Sequence, residues 1–327
     1  MATILVLGAM RDPHVAWVVQ ELHERSELHV IVLDYLSDTT FAFNMDASGK
    51  LDLLVNGVNL PSKYIVWDCV KILPGTSLYL LGDQEYTGYA AVEWRAFYKL
   101  ICATNGDNVV NSLLSRLCMV KPYQQMVAAT VGLKVAPTLV TNSQDEARRY
   151  AANNSNELIM KSLSSAKFQP ASEGEPIYRN VMTMRVTEED LNGATIEEIR
   201  CCPHFLQKKI GKAFELRVVY VDGAIFAFKI DSQKYKTTEV DWRYGIGALE
   251  YTPFELDTDV SYRISCFMKA MGLFSGSLDL IVDKEGQYWF LECNQQGAWG
   301  WLDELANGVI RRAFAAALAV RAVGSDA

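Results

Sequence analysis

The sequence predicts an α/β protein whose second half is organised as α+β. Three observations predict it. Residues 3–8, about 15–25 and 29–34 read as a buried strand, a helix and a second strand, the β-α-β opening of a parallel sheet. The second half carries two hairpins, 214–221 with 224–230 and 277–282 with 287–293, joined by turn dipeptides such as Asp222-Gly223. A helix at 257–272 lies between them and another, from Glu304 to Val323, closes the chain.

The elements follow in order. Met1–Gly8 reads as a strand, with no basic leader. The turn Arg11-Asp12-Pro13 introduces the first helix, and no Gly-x-Gly-x-x-Gly follows the first strand, so a dinucleotide is not the expected ligand. Residues 51–67 alternate apolar and polar around Asn56-Gly57, a hairpin signal. Residues 83–104 read as a helix with an aromatic stripe, Tyr86, Trp94, Phe97 and Tyr98, which suits core or a dimer face, so a homodimer stays open. Lys121-Pro122 opens a helix to about Gly132, Val135–Val140 is a strand, and Ser143 starts the next helix. Leu158–Ser162 is a strand. The Ser, Pro, Gly and Glu-rich segment 163–180 reads as a lid. Phe205–Lys209 is a further strand.

Composition narrows the function. With 327 residues, two or three units are expected. Lys+Arg number 31 against 39 Asp+Glu, a formal charge of -8, which disfavours nucleic acid and anionic membrane as partners. The apolar run 313–323 is too short to span a bilayer and is broken by Arg321. Seven scattered cysteines without Cys-x-x-Cys read as buried thiols in a reducing cytoplasm. The four histidines show no metal-ligand spacing.

Chemistry concentrates in the last hairpin. Glu292 and Asn294 are two apart and share a strand face, and a turn near Lys284-Glu285 places Asp279 opposite Glu292 to within one residue. Two carboxylates and an amide oxygen suit Mg²⁺ when phosphate oxygens complete the octahedron. The preceding hairpin presents Glu215 and Arg217 on one face. Lys121, Lys161 and Arg243 add cations at element edges or in a polar loop. Together these are parts for holding ATP phosphates. Neither a P-loop nor a Gly-x-Ser-x-Gly elbow is present.

The order of these pieces resembles the ATP-grasp superfamily over roughly residues 115–325, and the opening β-α-β unit resembles its pre-grasp domain. The segment from Gly276 through Asp279 and Gly286 to Glu292-Cys293-Asn294 is the most specific part. The resemblance implies that Asp279, Glu292 and Asn294 hold two Mg²⁺ ions, and that Lys121 and Lys161 are the phosphate- and adenine-side lysines. Phe205-Leu206-Gln207-Lys208-Lys209-Ile210 resembles the hinge strand, so Gln207, Lys208, Lys209 and Ile210 would bind the adenine, with backbone groups at Lys208 and Lys209 reading its edge. Glu215 falls on the ribose-binding acid and Arg243 on the phosphate-side arginine. Lys161, Arg217 and Arg243 would neutralise the moving phosphoryl group. The implied divisions are a pre-grasp domain at 1–117, a central lobe at 118–200 and a carboxy-terminal lobe at 201–327.

A narrower resemblance is to the microviridin-type peptide maturases, the graspetide synthetases. It rests on Lys121-Pro122-Tyr123-Gln124, on Ile230-Asp231-Ser232-Gln233 followed by Asp241-Trp242-Arg243, and on Phe290 through Asn294-Gln295-Gln296-Gly297 to Trp299 and Trp301. Gln295 stands where that group usually has Pro, Cys293 replaces an aliphatic residue, and Lys208 replaces a hinge Glu. The implied activity is ATP-dependent activation of a side-chain carboxylate as an acyl phosphate, followed by ester or amide crosslinking of a precursor peptide. The alternative is a ligase that adds an amino acid to a protein tail or small carboxylate. A leader segment of the precursor is expected to dock on 234–254, where Lys234, Lys236, Trp242, Arg243 and Tyr244 suggest a basic and aromatic surface.

Overall fold

Six consecutive buried residues, Ala2–Leu7, form β1, flanked in parallel by two strands, which is why the run is apolar without alternation. The computed structural model describes residues 1–70, 84–117, 119–163, 167–168, 179–180, 182–245 and 247–325. Asp12 caps α1 (Pro13–His23), and Val15, Val18, Val19 and Leu22 recur at helical spacing on its buried face. Next come β2 (Leu28–Leu33), β3 (Phe41–Met45), β4 (Leu51–Val55) and β5 (Val58–Asn59). The turn between β4 and β5 is the expected Asn56-Gly57, both at positive φ (50° and 78°). Then follow β6 (Ile65–Asp68), α2 (Gln84–Asn105), β7 (Val109–Val110) and α3 (Leu113–Leu117). The first sheet has the order β2-β1-β6-β7 and is parallel throughout. Trp94, Phe97 and Tyr98 of α2 pack on Tyr35, Phe41 and Phe43, so this part of the stripe is core. The Tyr86 side chain lies outside the described residues.

The central elements are α4 (Lys121–Thr130), β8 (Lys134–Val135), β9 (Thr138–Thr141), α5 (Gln144–Asn153), β10 (Leu158–Lys161), β11 (Lys167–Phe168), β12 (Arg179–Asn180), β13 (Met184–Val186), α6 (Glu188–Gly193), α7 (Ile196–Arg200) and β14 (His204–Lys208). Four of these strands form an antiparallel sheet, β13-β10-β14-β9, with Leu158, Leu206 and Leu191 packed on α5 from one side. Most of the expected lid, 163–180, lies outside the described residues. Cys201 and Cys202, expected to be buried, are exposed: they follow the last turn of α7, which buries none of its own residues.

The second half contributes β15 (Phe214–Val221), β16 (Ala224–Ile230), β17 (Tyr251–Phe254), α8 (Thr258–Ala270), β18 (Ser275–Val282), β19 (Tyr288–Asn294), α9 (Gly300–Leu305) and α10 (Val309–Ser325). The large sheet has the order β17-β16-β15-β18-β19-β8. One of its faces packs Leu216, Val218, Leu278 and Leu280 against Ile264, Phe267 and Met268 of α8. The other sends Val219, Val221 and Phe228 into a core shared with β1, α1 and α10. The single closing helix expected from Glu304 to Val323 is two helices. Asn307 and Gly308 take positive φ (52° and 77°) and break it, and Asp303 Oδ1 caps the second by accepting from Ile310 and Arg311 N–H. No helix among the described residues is long and apolar enough to cross a membrane.

Candidate active site

The β18–β19 ladder sets the site. Val282 pairs with Tyr288 and Leu280 with Phe290, a register that would put Leu291 opposite Asp279. A bulge between Asp279 and Leu280 absorbs Leu291, so Asp279 faces Glu292 and Ser277 faces Asn294. The bulge therefore brings the two carboxylates together. Across the other edge of β18, Arg217 of β15 pairs with Asp279, and its Nη1 reaches both carboxylate oxygens at 3.0 and 2.9 Å. Both side chains are nearly buried, so removing either partner alone would cost about 3–5 kcal/mol. Arg217 and Glu215 share a face as expected, but they do not pair with each other. Glu215 is buried and bonds Lys212 Nζ at 2.6 Å.

Residues of the four- and six-stranded sheets, with Lys121 of α4 and Arg243 of the loop before β17, line one cleft of about 580 Å³; Lys161, Glu215, Asp279 and Glu292 are among them. Lys121 Nζ lies 3.3 Å from Glu292 Oε2 and donates to the Ser162 carbonyl at 3.1 Å. Arg243 is forked onto Asp241, with Nε to Oδ1 at 2.8 Å and Nη2 to Oδ2 at 2.5 Å. Asp241 also accepts the Thr183 N–H at 3.1 Å. Among the described residues, no carboxylate stands within ion-pair distance of Lys161.

Burial and neighbouring charge set the protonation states. Burial pulls the Lys161 ammonium down to about 8, helped by the Lys121 charge and opposed by Glu292, Glu215 and Asp241. Burial pushes Asp279 up, against the pull of Arg217, and the Glu292 charge adds to the rise. Glu292 moves the other way, because Lys121, Lys161 and Arg243 outweigh its burial. Burial also raises Glu215, with Lys212 opposing. Asp241 is held down to about 2: its burial is overcome by the Arg243 fork.

Six of the expected site residues thus meet at the cleft, and Arg217 reaches it through Asp279. The others stand apart. Asn294 is exposed and its Oδ1 accepts the Gln296 N–H at 3.1 Å. In the hinge, the Lys208 N–H donates to Pro137 and the Lys209 N–H to Glu157, so those two donors are already used. Ile210 is half-buried beyond the strand. Gln207 is buried on the Ile159 side of β14, with Nε2 on Thr138 Oγ1 and Oε1 without a partner. Lys212, Asp241 and Thr183 join the cleft without having been singled out for it. The Lys212-x-x-Glu215 and Asp241-x-Arg243 spacings were the available signals.

Within the segment 234–254, expected to dock a leader, Lys234, Lys236 and Tyr244 are exposed, and the remaining members are engaged in the fold. Trp242 belongs to a small core with Ile230 and Leu249, Lys234 pairs with Glu250 at 2.8 Å, and Arg243 is spent on Asp241. Trp299 is buried against Phe314, and Trp301 packs on Trp242 and Tyr251. A separate, larger and mostly apolar cavity, about 1050 Å³, lies on the α6–α7 side of the four-stranded sheet. Met160, Met184, Val186, Leu191, Ile199 and Leu206 line it, with Arg185, Asp190 and Glu198 also on its wall.

Among the described residues no three His, Cys, Asp or Glu side chains converge as a metal site. Of the four cleft carboxylates, Asp279 and Glu292 face each other with cations around them, a donor pair that suits a hard divalent ion also held by oxygens of a bound ligand.

No family profile and no curated protein matches the chain. Solved structures do. A RiPP-associated ATP-grasp ligase of Chryseobacterium gregarium, in complex with ADP and a leader and core peptide, superposes with a TM-score of 0.85 at 25% identity, over 98% of this chain and 97% of that one. The macrocyclase MdnC of Microcystis aeruginosa MRC, bound with precursor peptide MdnA, gives 0.77 at 22% identity, over 97% and 98%. The ATP-grasp ligase PsnB, complexed with minimal precursor, Mg and ADP, gives 0.71 at 21% identity, over 98% and 97%. The chain thus has the ATP-grasp fold and, from end to end, is similar in structure to the RiPP-associated ATP-grasp ligases.

Proposed function

We propose that the protein is an ADP-forming ligase that activates a side-chain carboxylate of a ribosomal precursor peptide and crosslinks it as an ester or amide. The observation that carries this reading is the facing pair Asp279–Glu292 in a cleft ringed by Lys121, Lys161 and Arg243. Bound Mg²⁺·ATP supplies the phosphoryl group that turns the carboxylate into an acyl phosphate. Asp279 and Glu292, with Asn294 at the strand end, would hold the metal, one ion or two. Lys121, Lys161 and Arg243 would hold phosphate oxygens, and Glu215 the ribose.

Two features support the fit. Lys161 is a cleft ammonium with no paired carboxylate among the described residues, and Gln207 Oε1 is a buried acceptor without a donor. An adenine amino group supplies such a donor. The protein's own part in the chemistry is positioning and charge neutralisation. Asp241 orients Arg243, Lys212 holds Glu215, and Arg217 holds Asp279 before any ligand arrives.

The peptide's anchor is assigned to the apolar cavity beside α6 and α7. Every Asp or Glu presents the same reacting atoms, so discrimination needs contacts elsewhere. Apolar side chains of a leader segment would fill this cavity, with a basic residue meeting Asp190 or Glu198. The test is to incubate the protein with Mg²⁺·ATP and a short peptide encoded beside it that carries a Ser, Thr or Lys and Asp or Glu-rich tail. The expected result is ADP release with loss of one water per crosslink by mass spectrometry, abolished when the leader is removed. A mass gain of amino-acid residues on a carboxylate substrate, with no dehydration of the peptide, would select the amino-acid-adding ligase instead.

A further inference from the structure

His14 belongs to none of the motifs above, yet it joins the start of α1 to the loop that follows Asn294. Asp12 Oδ1 accepts the His14 backbone N–H at 3.0 Å and lies 2.7 Å from Nδ1. His14 Nε2 lies 3.0 Å from both the Trp299 and the Gly300 backbone nitrogens. Both of those groups are N–H donors, so Nε2 must carry a lone pair. The ring proton is then on Nδ1 and is donated to Asp12. Packing holds the imidazole in place. Trp299 meets it edge-on at 4.8 Å between centroids, and a Cβ at Gly300 would stand 3.4 Å from His14 Nε2.

The hydrogen bonds continue towards the carboxylates. Ala298, the residue before Trp299, accepts from Arg217 Nη2 at 3.1 Å. Arg217 Nη1 in turn holds Asp279. Ser277 Oγ donates to the Gly297 carbonyl at 3.2 Å, which ties the same loop to β18. Asp12, His14, Ser277, Gly297 and Trp299 line one small pocket.

We propose that His14 is a positioning residue for the reaction: its Nε2 lone pair fixes the Trp299–Gly300 backbone, so that the Ala298 carbonyl sets Arg217 and, through it, Asp279. The proposal rests on the reading of Asp279 as a metal ligand. It adds a requirement from the amino-terminal sheet that neither the hinge nor the cations impose. The charged groups around the ring are Asp12 on its own helix cap, Asp68 with its partner Arg116 across the pocket, Arg217 with Asp279 beyond Gly297, and Arg311 over the neighbouring Trp17.

Two variants separate this role from simple packing. His14→Gln keeps an acceptor for the loop, whereas His14→Phe keeps a ring without one. With Mg²⁺·ATP as the probe, both should bind with affinity within about threefold of wild type by titration calorimetry. His14→Phe should lose about tenfold or more in kcat for ADP release, and His14→Gln should recover most of it. Wild-type turnover in His14→Phe overturns the proposal, and so does a His14→Gln as slow as His14→Phe. Glu292→Gln is the control for the underlying reading: if it releases ADP as fast as wild type, the carboxylate assignment has failed. In that case, or if His14→Phe does not fold, the wild-type imidazole nitrogen NMR shifts decide. A ring protonated on Nδ1 supports the clamp, and an Nε2–H tautomer overturns it.

Discussion

Lys161 is the residue whose charge the cleft controls most visibly, and the sign of that control is testable. Burial holds its folded-state value near 8, below the ordinary lysine range. The ammonium is therefore present below pH 8 and lost above it. A bound phosphate favours the charged form, so affinity for Mg²⁺·ATP should be full below pH 8 and fall above it, approaching about tenfold per pH unit. Folding responds in the opposite sense. Between about pH 8 and 10.5 the unfolded chain keeps a proton that the folded chain has lost, so this residue adds stability as pH rises through that window. Titration calorimetry from about pH 7 to about pH 9.5 checks the first claim. Lys161→Arg should flatten the dependence, and equal wild-type affinity at both ends would remove Lys161 from the phosphate site. The residue types were legible in the sequence because phosphate and Mg²⁺ demand cations and hard oxygens whatever the fold. The pairing of those residues was not. The short spacings of Lys212 to Glu215 and Asp241 to Arg243 allow these pairs, but it is the packing of loop 231–245 against Lys212 and β15 that selects them.

At the scale of elements, a bulge and a glycine place the carboxylates. Turn chemistry alone predicted the β18–β19 hairpin and brought Asp279 within one residue of Glu292, and the bulge at Leu291 supplies the remaining step. A bulge leaves no compositional trace, so a register of this kind is not readable from alternation alone. After the strand, Gly297 lets the loop pass close to the site. A Cβ there would stand 2.6 Å from Ser277 Cβ and 2.7 Å from Arg217 Nη2. Gly297→Ala should therefore displace Arg217, lower stability by about 1–3 kcal/mol, and slow ADP release by about tenfold. Thermal melting and a coupled ADP assay measure both, and a variant with unchanged melting and turnover would show that Arg217 has slack the contacts do not suggest. The closing helix shows the reverse situation. Asn307-Gly308 was a visible stop signal, overrun by apolar periodicity on either side.

Across the whole molecule, the face of the six-stranded sheet that carries Glu215, Arg217 and Asp279 is continuous with the core beneath the amino-terminal sheet. Apolar periodicity showed each element of that core but not which elements share it. Ile310, Phe314, Leu318 and Ala322 of α10 are buried with Ile4 and Val6 of β1 and Val18 and Leu22 of α1. During synthesis, β1 and α1 leave the ribosome roughly three hundred residues before the helix that covers them, a separation that makes this contact late and slow to form. Until α10 is made, the nascent amino-terminal sheet shows one apolar face to whatever is nearby. Such a chain would depend on chaperone protection until α10 has emerged and docked. Chains arrested before residue 309 should accordingly stay protease-sensitive within residues 2–33, and chains extended past residue 325 by a tether long enough to clear the exit tunnel should become resistant. Resistance of the shorter chains would mean that the amino-terminal sheet closes on its own.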